Sequence, residues 1–176
     1  SDSEEIWKKI VKFLIRFNQF ESALEMLCNI DVEIHWKAFF RAKILHSQGK
    51  YHESFESLQF LLASAEEGPF QIEALLLNAK NLYFLFQNFE AEESMLRYIQ
   101  LKANAISSDN MVFLGLIFMQ RKNYSCSQEI FLKIVKKKTK SSISWYLLGI
   151  CLAKNKKWEM AEEAFLKAKE IDPQFS

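Results

Sequence analysis

Apolar residues recur along this chain with the spacing of an α-helix, and short polar breaks interrupt them. Trp145, Leu148 and Leu152 are three and four residues apart, and after the break AKNKK the same period continues in AEEAFLKA. This pattern predicts pairs of helices of about 12–14 residues, each pair joined by a tight turn. In the similar break SQGK, Gly49 is predicted to supply the left-handed backbone of the turn.

The helical pairs repeat with a period near 34 residues. A shift of 34 places Leu148-Gly149 on Leu114-Gly115. The Gly68-Pro69 pair predicts a loop between the second and third repeats. An apolar residue seven positions after a ring recurs five times, at Phe20/Leu27, Tyr51/Leu58, Phe89/Leu96, Tyr124/Phe131 and Trp158/Phe165. The sequence therefore predicts one domain over 1–176 with ten helices in five repeats, near 4–34, 35–72, 73–107, 108–141 and 142–175.

Gly115 and Gly149 lie inside predicted helices, where glycine costs about 1 kcal/mol relative to alanine. We expect them to mark a close approach of the two helices in a repeat, since no Cβ separates the backbones. Ala161 is expected to face Gly149 across the hairpin.

The last repeat carries an ordered set of residues: Trp145, Leu148, Gly149, Leu152, Ala161, Phe165, Ala168 and Pro173. This pattern resembles the tetratricopeptide repeat. The third repeat matches least, with Lys80 in the glycine place and Glu92 in the alanine place. The resemblance implies an all-α, right-handed α-solenoid of stacked helix-turn-helix repeats. It also implies that first helices line a concave groove, which binds protein segments and performs no catalysis.

The predicted groove is apolar and aromatic from the second repeat onward. We expect it to bind a hydrophobic or helical segment of a partner protein, or a second copy to form a homodimer, as a scaffold subunit of a multiprotein assembly. The alternative interpretation is that neighbouring repeats cover these residues as ordinary core. The expected groove residues are Trp36, Phe39, Leu77, Phe84, Val112, Leu116, Met119, Tyr146 and Ile150, with Lys43 and Gln120 at the margins.

Lys8, Lys12 and Arg16 form a basic patch that supports an alternative function, the binding of a short acidic peptide tail. One branch of the family clamps the acidic tails of chaperones with lysine, asparagine and arginine side chains. Here Lys8 matches one of those places, but Lys12 stands where asparagine is expected. The remaining places hold Phe40, Ala74 and Asn78, so the clamp is incomplete.

The sequence offers no candidate catalytic, cofactor or metal site. His35, His46 and His52 are 11 and 6 residues apart, which does not suit a zinc site on one helical turn. There is no glycine-rich phosphate loop and no nucleophile–base pair, so an enzyme is not expected. The basic run at 133–140 is interpreted as a helix end whose lysines complement the helix dipole, and nucleic-acid binding is not favoured.

The three cysteines, Cys28, Cys126 and Cys151, are too far apart to suggest a disulfide framework. We expect mostly buried, reduced thiols and an intracellular location, in cytoplasm or nucleus. Apolar runs such as 145–153 are shorter than the roughly 20 residues that span a bilayer, so membrane insertion is not expected. The acidic SDSEE start and the abrupt end suggest a piece of a longer chain.

Overall fold

Ten α-helices form the part of the chain that a computed structural model describes, residues 2–63, 69–102, 106–137 and 140–174. Those ranges contain no β-strand, so the predicted all-α architecture of ten helices is confirmed. The helices are α1 (Asp2–Arg16), α2 (Phe20–Asn29), α3 (Ile34–Ser47), α4 (Tyr51–Ala63), α5 (Pro69–Phe84), α6 (Asn88–Lys102), α7 (Ser108–Gln120), α8 (Tyr124–Lys136), α9 (Ser142–Lys154) and α10 (Trp158–Ile171).

One turn geometry joins the two helices of every repeat. In each turn one residue has a positive φ, between 57° and 76°, and the next N–H donates to the carbonyl five residues earlier at 2.8–2.9 Å. This hydrogen bond and the left-handed residue define the Schellman motif, which satisfies the last carbonyls of a helix. Gly49 is the second of these residues, as predicted; all five are Asn18, Gly49, Phe86, Lys122 and Lys156.

These left-handed residues fix the register of the repeats. If each occupies repeat position 15, the repeats begin at residues 4, 35, 72, 108 and 142. The third repeat therefore starts one residue before the predicted Glu73, and its first helix begins at Pro69, a residue preorganised for a helix start. Gly68 of the predicted loop lies outside the described residues.

The one-residue shift changes which side chains of the third repeat are structural. Ala79 and Ala91, rather than Lys80 and Glu92, occupy the glycine and alanine places, and both are fully buried. The predicted pair Phe89/Leu96 was also off by one: Phe89 is 71% exposed, whereas Met95 is fully buried.

In each hairpin a smaller residue on the first helix faces a larger residue on the second helix. The ring of Phe165 lies against Gly149, and that of Phe131 against Gly115. A close approach at Gly149 was predicted, and the atoms nearest to a Cβ there belong to the ring of Phe165. Ala161 was expected to face Gly149, and its equivalent Ser127 does contact the carbonyl of Gly115, at 2.8 Å. In the other repeats the equivalent pairs are Val11/Leu27, Ala42/Leu58 and Ala79/Met95, all buried.

The first compact unit, Ser1–Leu101, is built on contacts between consecutive helices and between α3 and α5. One apolar cluster joins α1, α2 and α3 through residues that include Val11, Leu27, Trp36 and Ile44. A second cluster joins α3, α4 and α5 around Leu58.

The second compact unit, Lys102–Ser176, contains α7 to α10. Each helix packs on the next along the chain. Ser107 and Ser141 cap α7 and α9 by accepting hydrogen bonds from the N–H groups of Asn110 and Ser144. Such caps satisfy one otherwise unpaired N–H at the start of a helix.

Candidate partner-binding surfaces

Lys12 on α1 and Lys43 on α3 place their ammonium groups over the same aromatic ring. Their Nζ atoms lie 5.7 and 5.9 Å from the ring centroid of Phe40. Phe40 is buried, while both lysines are exposed. Each cation–π contact contributes about 0.5–1 kcal/mol at an exposed site. The ring therefore gathers two positive charges at one place on the surface, which favours an anionic ligand.

Lysine occupies repeat position 9 in all three first helices of this unit, at Lys12, Lys43 and Lys80. From the sequence we predicted Lys43 at the margin of the groove and Lys80 in the glycine place of the third repeat. The repetition was present in the sequence, but the one-residue register error in the third repeat concealed it.

The basic patch predicted on α1 is divided among different surroundings. Lys8 Nζ lies 3.4 Å from Glu5 Oε1, which neutralises part of its charge. Lys12 lies over Phe40, and Arg16 is exposed at the end of the helix.

We call Lys12, Lys43 and Lys80 the lysine row. Next to it, His46 lies in an aromatic cluster with Tyr51 and Phe84. The rings of Tyr51 and Phe84 stack at 4.4 Å, and His46 lies 5.3 Å from Tyr51 and 5.9 Å from Phe84. Phe84 is 44% exposed, so this cluster presents an aromatic surface to solvent.

A chain of hydrogen bonds leads from His46 into the core. Ser54 Oγ donates to the Ala42 carbonyl at 2.7 Å and accepts from Asn81 Nδ2 at 2.8 Å. The Asn81 Oδ1 atom therefore faces His46 Nδ1, at 2.7 Å, and that nitrogen carries the proton. Burial lowers the pKa of His46 and the nearby charge of Lys80 lowers it further, while the hydrogen bond to Asn81 opposes the shift.

Two of the predicted groove residues lie inside the protein. Trp36 is 2% exposed and stacks on Phe40 in the α1–α3 cluster, and Leu77 is 8% exposed in the α3–α5 cluster. Their burial removes them from the accessible surface, because neighbouring helices cover them. Phe39 is half-buried between Phe40 and Phe70.

The groove residues predicted on α7 and α9 are partly accessible. Tyr146 is 42% exposed and its ring lies 5.6 Å from that of Phe165. The other four, Val112, Leu116, Met119 and Ile150, are half-buried. At repeat position 9 these helices carry Leu116 and Ile150 instead of lysine, so the line of side chains that is basic in the first unit is apolar here.

The side chains that could bind a metal ion, react as thiols or contact an anion do not form one site among the described residues. Among the described residues no group of three or more histidine, cysteine, aspartate or glutamate side chains could hold a metal ion. Cys151 is buried and burial raises its pKa, but Cys28 is exposed, contrary to the expectation of mostly buried thiols. In the basic run at 133–140, α8 ends at Lys136, and Lys138 and Thr139 lie outside the described residues.

No helix in the described ranges combines the length and the apolar character that crossing a bilayer requires.

The last repeat matches a known family. Residues 142–175 match the tetratricopeptide repeat family. No curated protein sequence matches the chain. Among solved structures, YrrB, described as a TPR protein with an unusual peptide-binding site, is similar with a TM-score of 0.78 at 17% identity, over 95% of this chain and 85% of that one. A MamA fragment from Desulfovibrio magneticus RS-1 is similar with a TM-score of 0.81 at 17% identity, over 99% and 97%. At such low identity these similarities show the fold alone.

Proposed function

We propose that this chain, which is a tetratricopeptide-repeat protein with an all-α solenoid fold, is a non-catalytic scaffold that binds a hydrophobic or helical segment of a partner protein. Protein–protein interaction is the general function that this fold supports. We also propose that the chain is a subunit of a multiprotein assembly in the cytoplasm or nucleus. Its groove could serve a second copy of the chain as well, which would give a homodimer.

The accessible apolar surface of α7 and α9 carries this proposal. Tyr146 is exposed where it could contact a ligand, and four half-buried apolar side chains occupy the positions that line the groove in this family. Aromatic residues are frequent hot spots of protein interfaces because they bury a large area with few rotatable bonds. The peptide-binding site described for YrrB supports the same use of the fold.

The test is the binding of a fluorescent amphipathic peptide helix, with leucine on one face and glutamine on the other, to the full chain. Leu116→Glu and Tyr146→Ala should each weaken binding at least tenfold, since truncating an interface hot spot costs about 2 kcal/mol or more. Phe60→Glu, an exposed apolar position on α4, is the matched control and should bind like wild type. Equal affinity in all four proteins would refute binding at this surface.

A specific observation supports a second candidate, the recognition of an acidic peptide tail by the amino-terminal unit. Lys12 and Lys43 share the ring of Phe40, and Lys80 occupies the same repeat position on α5. This arrangement adds two lysines from α3 and α5 to the α1 patch. The structure therefore supports the acidic-tail function better than the family clamp pattern does.

Salt dependence separates the two candidates. Binding of a glutamate-rich peptide to the lysine row should weaken steeply between 0.05 and 0.5 M salt, because exposed charges are screened over about 10 Å or less. Lys12→Gln and Lys43→Gln should reduce that slope, and Lys133→Gln on α8 should leave it unchanged. Binding of the apolar peptide should depend little on salt.

A further inference from the structure

The first helix carries an apolar stripe on a surface unrelated to either candidate site. Ile6, Ile10, Phe13 and Phe17 are four, three and four residues apart, which places the first three on one face of α1 and Phe17 in line with them, directly after the end of the helix. Ile6, Phe13 and Phe17 are 55%, 59% and 57% exposed, and Ile10 is half-buried. The rings of Phe13 and Phe17 lie 4.4 Å apart. We call these four residues the α1 stripe.

Phe13 occupies repeat position 10, which is fully buried in every other repeat. The equivalent residues are Ile44, Asn81, Ile117 and Cys151, each 0% exposed. Three of them show what covers this position. Ile44 lies in the cluster of Ala23 and Leu27, Asn81 bonds to Ser54 at 2.8 Å, and Cys151 bonds to Ser127 at 3.3 Å.

The covering residues all belong to the second helix of the preceding repeat, and the residue opposite position 10 is small. We call the contact between the second helix of one repeat and the first helix of the next a seam. Phe13 occupies a seam position, but within the described residues no helix lies over it. A helix with a small residue at its centre, of the type of α4 or α8, is the occupant that this face fits.

The last helix presents the complementary half of such a seam. At repeat position 24, Leu27, Leu58, Met95 and Phe131 are at most 4% exposed, but Phe165 is only half-buried. Trp158, two turns earlier on the same face, is 63% exposed. A cleft of about 420 Å³ opens here, lined by Ala153, Trp158, Ala161, Glu162, Phe165, Leu166 and Lys169.

We propose that α10 of one copy of this chain docks on the α1 stripe of a second copy and forms a seam like those inside the chain. Ala161 stands at the repeat position of Ser54 and Ser127, so it would lie opposite Phe13 and leave room for the ring. The association is head-to-tail, and because the new seam would repeat the geometry of the seams inside the chain, we expect it to extend by adding copies instead of pairing two copies symmetrically.

Polar and charged groups agree with this pairing. Inside the chain, Gln128 accepts hydrogen bonds from Asn155 and Lys157 at 2.9 and 3.2 Å. The residues at the equivalent positions of the intermolecular seam are Glu162 on one copy and Phe17 and Gln19 on the other. Gln19 can therefore donate to Glu162 in the place of Lys157, whereas Phe17 replaces the donor Asn155 by an apolar contact. The α10 helix has four glutamates and two lysines, a net charge of −2, and α1 has four basic and three acidic residues, a net charge of +1.

Light scattering on the full chain, from micromolar to millimolar concentration, tests this proposal. The mass of the wild type should rise continuously with concentration, because a head-to-tail seam has no natural end. Phe13→Glu blocks the α1 stripe, and Trp158→Glu blocks the α10 cleft with a charge that suits a helix start. Each variant alone should remain monomeric.

An equimolar mixture of the two variants is the decisive sample. It retains one intact α1 stripe and one intact α10 cleft, so it should form heterodimers of twice the monomer mass and nothing larger. Phe60→Glu should associate like wild type. Circular dichroism checks that each variant keeps its helix content, and Phe17→Lys provides a second block of the α1 stripe if Phe13→Glu does not fold.

Three results would overturn the proposal. They are a wild type that stays monomeric at all concentrations, a dimer that persists in either variant alone, and a mixture that stays monomeric. None of them bears on peptide binding at α7 and α9, so the proposed function and this association can fail independently.

Discussion

The ring of Phe165 occupies the space that a side chain on Gly149 would fill. A Cβ atom at Gly149 would lie 2.6 Å from Phe165 Cε1, and one at Gly115 would lie 2.6 Å from Phe131 Cζ. In the remaining repeats a valine or alanine faces a leucine or methionine. The glycines are therefore one half of a size-matched pair.

Gly149→Ala should destabilise the protein although alanine favours helix formation. Overpacking against Phe165 costs about 1–3 kcal/mol, which exceeds the gain of about 1 kcal/mol in helix propensity. In the background of Phe165→Leu the same change should be neutral or stabilising, because a leucine leaves room for the methyl group. Urea unfolding of the four proteins gives the coupling energy, and independent effects of the two changes would contradict the size-matched pair.

Phe86→Gly should stabilise the protein by about 1 kcal/mol. Phe86 has a φ of 60°, which glycine adopts without strain, and the ring is 76% exposed, so little packing is lost. Gly49→Ala is the matched control: its φ is 76° and nothing lies within 4 Å of a Cβ there, so a loss of similar size should follow from backbone strain alone. A thermal melt of each variant measures both shifts, and equal signs would refute the prediction.

Ser54→Ala should cost more stability than Ser127→Ala. Both hydroxyls donate to the carbonyl of the facing helix, at 2.7 and 2.8 Å. However, Ser54 also accepts from the buried Asn81 amide, whereas Ser127 accepts only from the thiol of Cys151. An amide left unsatisfied in the core costs about 1–3 kcal/mol, and a thiol is a weaker donor. Chemical denaturation of the two variants should show this order, and a reversed order would contradict it.

Stability should fall as the pH drops below the ordinary pKa of histidine, about 6.5. The pKa of His46 is lowered in the folded state, so the unfolded chain binds the proton more readily. The contribution of His46 is therefore present above that value and is lost as the pH falls toward its folded pKa. His46→Gln, which keeps an N–H donor for Asn81, should show a smaller stability loss than wild type between pH 7.5 and 5.5. An identical loss would show that other groups control the acid sensitivity.

The lysine row, Lys12, Lys43 and Lys80, shows why the candidate site could not be fully predicted from the sequence: the prediction depended on the exact start of each repeat. All three side chains are visible in the sequence, and an error of one residue in the third repeat was enough to separate them. Helical periodicity has a tolerance of about one residue where the repeat is degenerate, and a shift of one residue rotates a side chain by about 100° around the helix. The positive-φ residue at Phe86 removes this ambiguity, but nothing in a phenylalanine indicates a left-handed turn.

The sequence by itself determined the ten helices, the turn at Gly49 and the tetratricopeptide resemblance of the last repeat, because these depend on local spacing and on a recurring pattern. Only the tertiary structure decided which apolar residues are accessible. Trp36 and Phe13 are equally apolar in sequence, yet Trp36 is 2% exposed and Phe13 is 59% exposed. The difference arises because burial depends on whether a second helix lies over a position, and neighbours distant along the chain supply that helix.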